Sequence, residues 1–203
     1  MSGASGNSQA CDEEVTVVVV ALGRRPNREA GRRGARAEAI ADTTGSVDAV
    51  LLGCHGGAGT STLAALLGTP WDLGGYTPQT RQVETFGRPL LLVTRDSAPA
   101  SARTVEAVTG LSGSGAAISC LVIVADGSGP EPREATVRFR LVEDRVARIV
   151  RFPFVAGLRY ADTADADKVR LPRKAERALA EIREACGERE PEASDTKGRE
   201  ESQ

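Results

Sequence analysis

Positions 55–62 read His-Gly-Gly-Ala-Gly-Thr-Ser-Thr. Glycines at 56, 57 and 59 let the main chain come close to a ligand. Successive N–H groups in such a run turn inward as a nest, and a helix beginning just after it favours an anion. Phosphate binding is the chemistry that suits this pattern. The candidate residues are His55, Gly56, Gly57, Ala58, Gly59, Thr60, Ser61 and Thr62. A hydroxyl at the start of the helix can also hold Mg²⁺ beside phosphate. Ser61 is the candidate for that role, with Asp72 in Trp71-Asp72-Leu73-Gly74-Gly75 as a second metal candidate.

Composition excludes much other chemistry. His55 is the one histidine, so a Ser-His-Asp site has no histidine separate from the glycine loop. His-Gly-Gly is also found in the oxyanion-hole segment of α/β-hydrolases, but Gly110-Leu111-Ser112-Gly113-Ser114 lacks the last glycine of G-x-S-x-G. Cys11, Cys54, Cys120 and Cys186 are isolated, which argues against a cysteine zinc site. A helix start beside Cys54 would lower its thiol pKa. The three lysines are Lys168, Lys174 and Lys197, so no lysine precedes position 168. The net charge of −2 makes the whole chain a poor electrostatic match for nucleic acid. The longest apolar stretch, residues 15–22, is far below the ~20 residues of a membrane span. These features suggest a cytoplasmic protein with reduced thiols.

The elements that must position the loop are legible as alternating strands and helices. Residues 49–53 form a short apolar strand, and 61–67 a helix stopped by Gly68. Residues 69–88 are rich in Pro, Gly and polar types and read as a loop. Residues 90–94 and 118–125 are strands, 99–108 a helix and 110–115 a turn. Residues 132–146 read as a helix, with a hairpin as the alternative because Val137, Phe139 and Leu141 alternate. Residues 148–154 form a strand, and 173–185 an amphipathic helix with Ala175, Leu179 and Ile182 on one face. The expected fold is three-layer α/β with a mostly parallel sheet. Residues 47–186 make the domain. Residues 1–46 are expected to be mostly disordered, with a candidate strand at 15–22, and 187–203 to be a disordered charged tail.

The loop resembles that of the MinD/ParA branch of P-loop ATPases, K-G-G-x-G-K-[ST]-[ST]. It matches at Gly56, Gly57, Gly59, Ser61 and Thr62. His55 stands at the branch's signature lysine and Thr60 at its phosphate-binding lysine. Residues 90–102 resemble a late strand and helix of the branch, and 148–159 its I-P-x-x-x-x-V segment. The resemblance implies a reduced P-loop fold, with ATP and Mg²⁺ as cofactors. The stretch 69–88 is too short for the branch's extra strand pair, so its Walker B element looks deleted. Asp72 is a partial replacement. Asp126, which superficially looks like a Walker B aspartate, falls near the base-binding region of the resemblance.

Phosphoryl transfer depends on neutralising charge at the γ-phosphate. Thr60 brings no positive charge, and a histidine is only partly charged near neutrality. The expected function is therefore a degenerate MinD/ParA-like protein with weak or absent nucleotide binding. It would not be a competent ATPase and would act through a protein partner. Two alternatives stand beside it. One is an active ATPase in partitioning, conjugation or secretion. The other is a DNA-associated accessory protein using Arg24, Arg25, Arg28, Arg32, Arg33 and Arg36. The branch often forms nucleotide-sandwich dimers; with His55 at the signature position, no such dimer is expected.

Overall fold

The computed structural model describes residues 17–20 and 46–187. A five-stranded sheet with every pairing parallel forms its centre. The strands first in the chain are β1 (Val17–Val20), β2 (Val50–Gly53), β3 (Asp72–Gly75) and β4 (Thr80–Glu84). They are followed by β5 (Leu90–Arg95), β6 (Ile118–Val124) and β7 (Ile149–Phe152). The order across the sheet is β3-β2-β5-β6-β7, and β1 pairs with β4 in a separate two-stranded sheet.

The helices are α1 (Thr60–Leu67), α2 (Ala98–Gly113), α3 (Arg133–Arg140), the short α4 (Ala156–Tyr160) and α5 (Arg173–Gly187). Side chains alternate across each strand, so β2 sends Leu51 to one face and Val50 and Leu52 to the other. Leu51, Leu91, Val93 and Val150 meet Leu63 and Leu67 of α1 and Leu179 and Ile182 of α5. Val50, Leu52, Leu90, Leu92 and Leu121 meet Val108 and Leu111 of α2 and Phe139 of α3. Both faces are covered, which is why β2, the Leu90–Val93 part of β5 and most of β6 are apolar. The fold class is thus the expected α/β arrangement with a mostly parallel sheet.

Some sequence expectations hold and others need correction. Residues 69–88 are not a plain loop, since they contain β3 and β4. β3 has no apolar run of its own. It is held by main-chain bonds, Leu51 N–H to Trp71 O at 2.8 Å and Tyr76 N–H to Gly53 O at 2.7 Å. The helix expected at 99–108 does not turn at 110–115 but runs on to Gly113. Its buried Leu111 rewards continuation, and Gly110 leaves room for the Tyr76 hydroxyl, which would collide with any Cβ there. Of the two readings of 132–146, the helix forms, with Ala135 and Phe139 buried one turn apart. A tight turn at Glu143–Arg145 then leads into β7, which is shorter than the expected 148–154. The candidate strand at 15–22 is present as Val17–Val20, paired with β4 outside the main sheet. The rest of the N-terminal segment, with Arg24 to Arg36, and the tail from 188 lie outside the described residues.

Candidate functional site at the carboxyl ends of β2 and β5

From β2 the chain passes through α1 to β3 on one side; from β5 it passes through α2 to β6 on the other. Connections therefore diverge between β2 and β5. In open α/β sheets, ligands bind in the crevice this divergence leaves outside the carboxyl ends of the strands. The glycine loop lies there. His55, Gly56, Gly57, Ala58, Gly59, Thr60, Ser61 and Thr62 all line one cleft of about 380 Å³, together with Gly74, Gly75 and Arg95.

The loop's conformation follows from its glycines. Gly57 has φ 77° and Gly59 φ 97°, left-handed values that a side chain would strain. Gly59 leads directly into α1, and no side chain caps that helix. The first intrahelical bond is Leu63 N–H to Gly59 O at 3.0 Å. The N–H groups of Thr60, Ser61 and Thr62 therefore precede the helical ladder. Gly53, at the end of β2, is needed for packing: a Cβ there would lie 2.6 Å from Thr60 Oγ1 and 3.0 Å from His55 O.

Asp72, the first residue of β3, stands beside the helix start. The Ser61 hydroxyl donates to Asp72 Oδ2 at 2.5 Å, and Gly74 N–H donates to Asp72 Oδ1 at 2.9 Å. The two metal candidates thus meet. A hydroxyl and a carboxylate are hard oxygen donors suited to Mg²⁺, which keeps several waters and takes the rest of its ligands from substrate phosphates. Among the described residues, no group of three or more His, Cys, Asp or Glu side chains gathers for a metal. Asp126 is engaged elsewhere. It accepts from Ser128 Oγ at 2.5 Å and Ser128 N–H at 2.7 Å. Those bonds, aided by the charges of Arg95 and Arg159, hold its carboxyl below the usual range.

His55 does not act as a lysine would. Its Nδ1–H donates to Gly56 O at 2.8 Å. Nε2 is buried with no partner among the described residues. The imidazole fastens the loop through Nδ1 and leaves its other ring nitrogen unpartnered among the described residues. Cys54 corrects another expectation. Its thiol is fully buried, and burial pushes it up to about 12 despite the Thr104 hydroxyl beside it. The nearby helix start does not activate it.

Two parts of the site escaped sequence reasoning. Arg95 ends β5 and donates from Nε to Gly57 O at 3.2 Å. The signal that points to it is positional: it is the first charged residue after an apolar strand. The second part is a pocket of about 140 Å³ that adjoins the loop cleft at Gly59, Thr62 and Arg95. Leu66, Phe152, Pro153, Phe154 and Leu158 form its apolar wall. Phe139 and Phe152 are core, as expected, but Phe154 is half exposed, with the Arg159 guanidinium 5.7 Å above its ring. No helix among the described residues is long and apolar enough to cross a membrane. No family model, curated protein or solved structure matches the chain.

Proposed function

We infer that the chain is a degenerate MinD/ParA-like P-loop protein that binds a nucleotide weakly and does not hydrolyse it efficiently. The observation that carries this is the meeting of Ser61 and Asp72 at the mouth of an uncapped helix that follows the glycine loop. The Gly56 to Thr60 backbone would cradle phosphates, and Ser61 with Asp72 would hold Mg²⁺, which screens phosphate charge when bound. The adjoining apolar pocket offers a surface for a base. Weak turnover follows from charge. Among the described residues, no lysine reaches the loop, and His55 spends its Nδ1–H on Gly56 O. Stabilisation of the transferring phosphoryl group would therefore fall short. A protein that holds a nucleotide without turning it over acts through the contacts it makes, so a protein partner belongs to this proposal.

Calorimetry with MgATP, MgADP, MgGTP and MgGDP tests it. The expected result is micromolar-to-millimolar binding with no steady phosphate release. Ser61→Ala should weaken binding several-fold in Mg²⁺ and leave it unchanged in EDTA. Absence of binding at millimolar nucleotide sinks the ligand half. Steady phosphate release that Ser61→Ala abolishes would instead establish an active ATPase.

A further inference from the structure

We propose that Arg95 supplies the phosphate-facing positive charge that the glycine loop itself lacks, so that the site's cation comes from β5 and not from α1. This rests on the nucleotide reading of the same cleft. The loop and α1 carry no Lys or Arg between positions 37 and 80. Arg95 is the cation that lines the loop cleft and also the adjoining apolar pocket, so it stands where the two join. Its Nε is engaged with Gly57 O, and its Nη2 lies 3.8 Å from where a Cβ on Gly59 would be. Among the described residues no carboxylate lies within ion-pair distance of it, and Asp126 interacts with its charge only at longer range. A guanidinium has five N–H donors, so four remain after the bond to Gly57. Those donors form a planar fork suited to two phosphate oxygens at once.

The placement also explains how the loop tolerates Thr60. A lysine there would rise from the helix start. Arg95 instead reaches the loop from the neighbouring strand, because β2 and β5 pair in register, Gly53 opposite Val93. Its Nε bond ties it to the left-handed turn at Gly57, and the residue lines the cleft. The ligand chemistry it selects is a phosphate chain, with the apolar pocket taking what is attached to it.

The test uses the full chain with two probes, MgATP and inorganic tripolyphosphate, titrated over a range of salt concentrations. Arg95→Met should bind both at least about tenfold more weakly, because a hydrogen bond to a charged group is lost. Its remaining binding should also depend less on salt, since one screened charge contact is gone. Arg95→Lys should recover part of the affinity, through charge without the fork. A variant that has only lost the bond to Gly57 would weaken binding with the salt dependence unchanged, and that result would overturn the proposal. So would equal binding by Arg95→Met and the parent, which would leave the nucleotide reading intact. Arg95-dependent binding of tripolyphosphate without any of MgATP would preserve the proposal and reject the nucleotide. Binding of neither probe by the parent would overturn both.

Discussion

Two arginines flank β5, Arg88 just before it and Arg95 at its end, and their surroundings differ. Arg88 is paired with a carboxylate and stacked on a ring. Its Nε donates to Asp48 Oδ1 at 2.6 Å, and its guanidinium lies 4.2 Å from the centre of the Trp71 ring. Trp71 Nε1–H donates to the same Asp48 oxygen at 2.8 Å. The Arg88 bond, ahead of every other influence, holds the Asp48 carboxyl below its ordinary value. Arg95 has a carbonyl, glycines and a cleft. One end of the sheet closes its charges on one another within ion-pair distance; at the other, Arg95 lines a cleft and acts on Asp126 only through space. Local satisfaction, not residue type, separates a structural arginine from a functional one.

Substitutions can break or sharpen that contrast. The largest effect is expected at the open end, where Gly53→Ala forces a Cβ against Thr60 Oγ1, His55 O and Gly74 O. A loss of about 1–3 kcal/mol in urea unfolding is expected from such overpacking, along with loss of nucleotide binding. At the closed end, Arg88→Met should cost about 1 kcal/mol, combining a cation–π contact with a partly exposed ion pair. Its nucleotide affinity should match the parent. Arg95→Met should do the opposite, with stability within about 0.5 kcal/mol of the parent and the binding loss already described. If Arg88→Met impairs binding as much as Arg95→Met, the two ends are not distinct.

The smallest effect concerns Asp96, next to Arg95 and buried. Burial, seconded by the nearby Asp126 charge, raises its carboxyl above the ordinary value of 3.8 despite the Asp126 N–H it accepts. A raised folded-state pKa adds stability below 3.8 and loses it as pH rises through the folded value. The parent's stability relative to Asp96→Asn should therefore fall over that window and level off above it. Urea melts from pH 3 to 7 would detect this, and a difference that grows with pH would refute it.

The sequence made the covered parts of the fold legible and hid the uncovered ones. β5 from Leu90 to Val93 and β6 apart from Ser119 are apolar because both faces are buried, and α5 declares itself through Ala175, Leu179 and Ile182. β3 and β4 have no such pattern. Asp-Leu-Gly-Gly and Thr-Arg-Gln-Val-Glu become strands through main-chain pairing with a neighbour, which local composition does not record. The same reason divides the site. The loop was legible because glycines announce unusual backbone. Asp72 was visible only as an isolated candidate until β3 came to lie against β2, beside the start of α1. Arg95 was hidden because its importance depends on which strand lies next to β2.

The closed end has a practical consequence. Trp71 is the one tryptophan of the chain, and it immediately precedes Asp72. Its indole is fixed by Asp48 and covered by Arg88. A shift of β3 that accompanied events at Ser61 would be expected to reach that ring through the adjoining backbone. The molecule thus carries its own optical reporter: its near-ultraviolet emission comes chiefly from one indole, joined by a single peptide bond to the residue that meets the helix start.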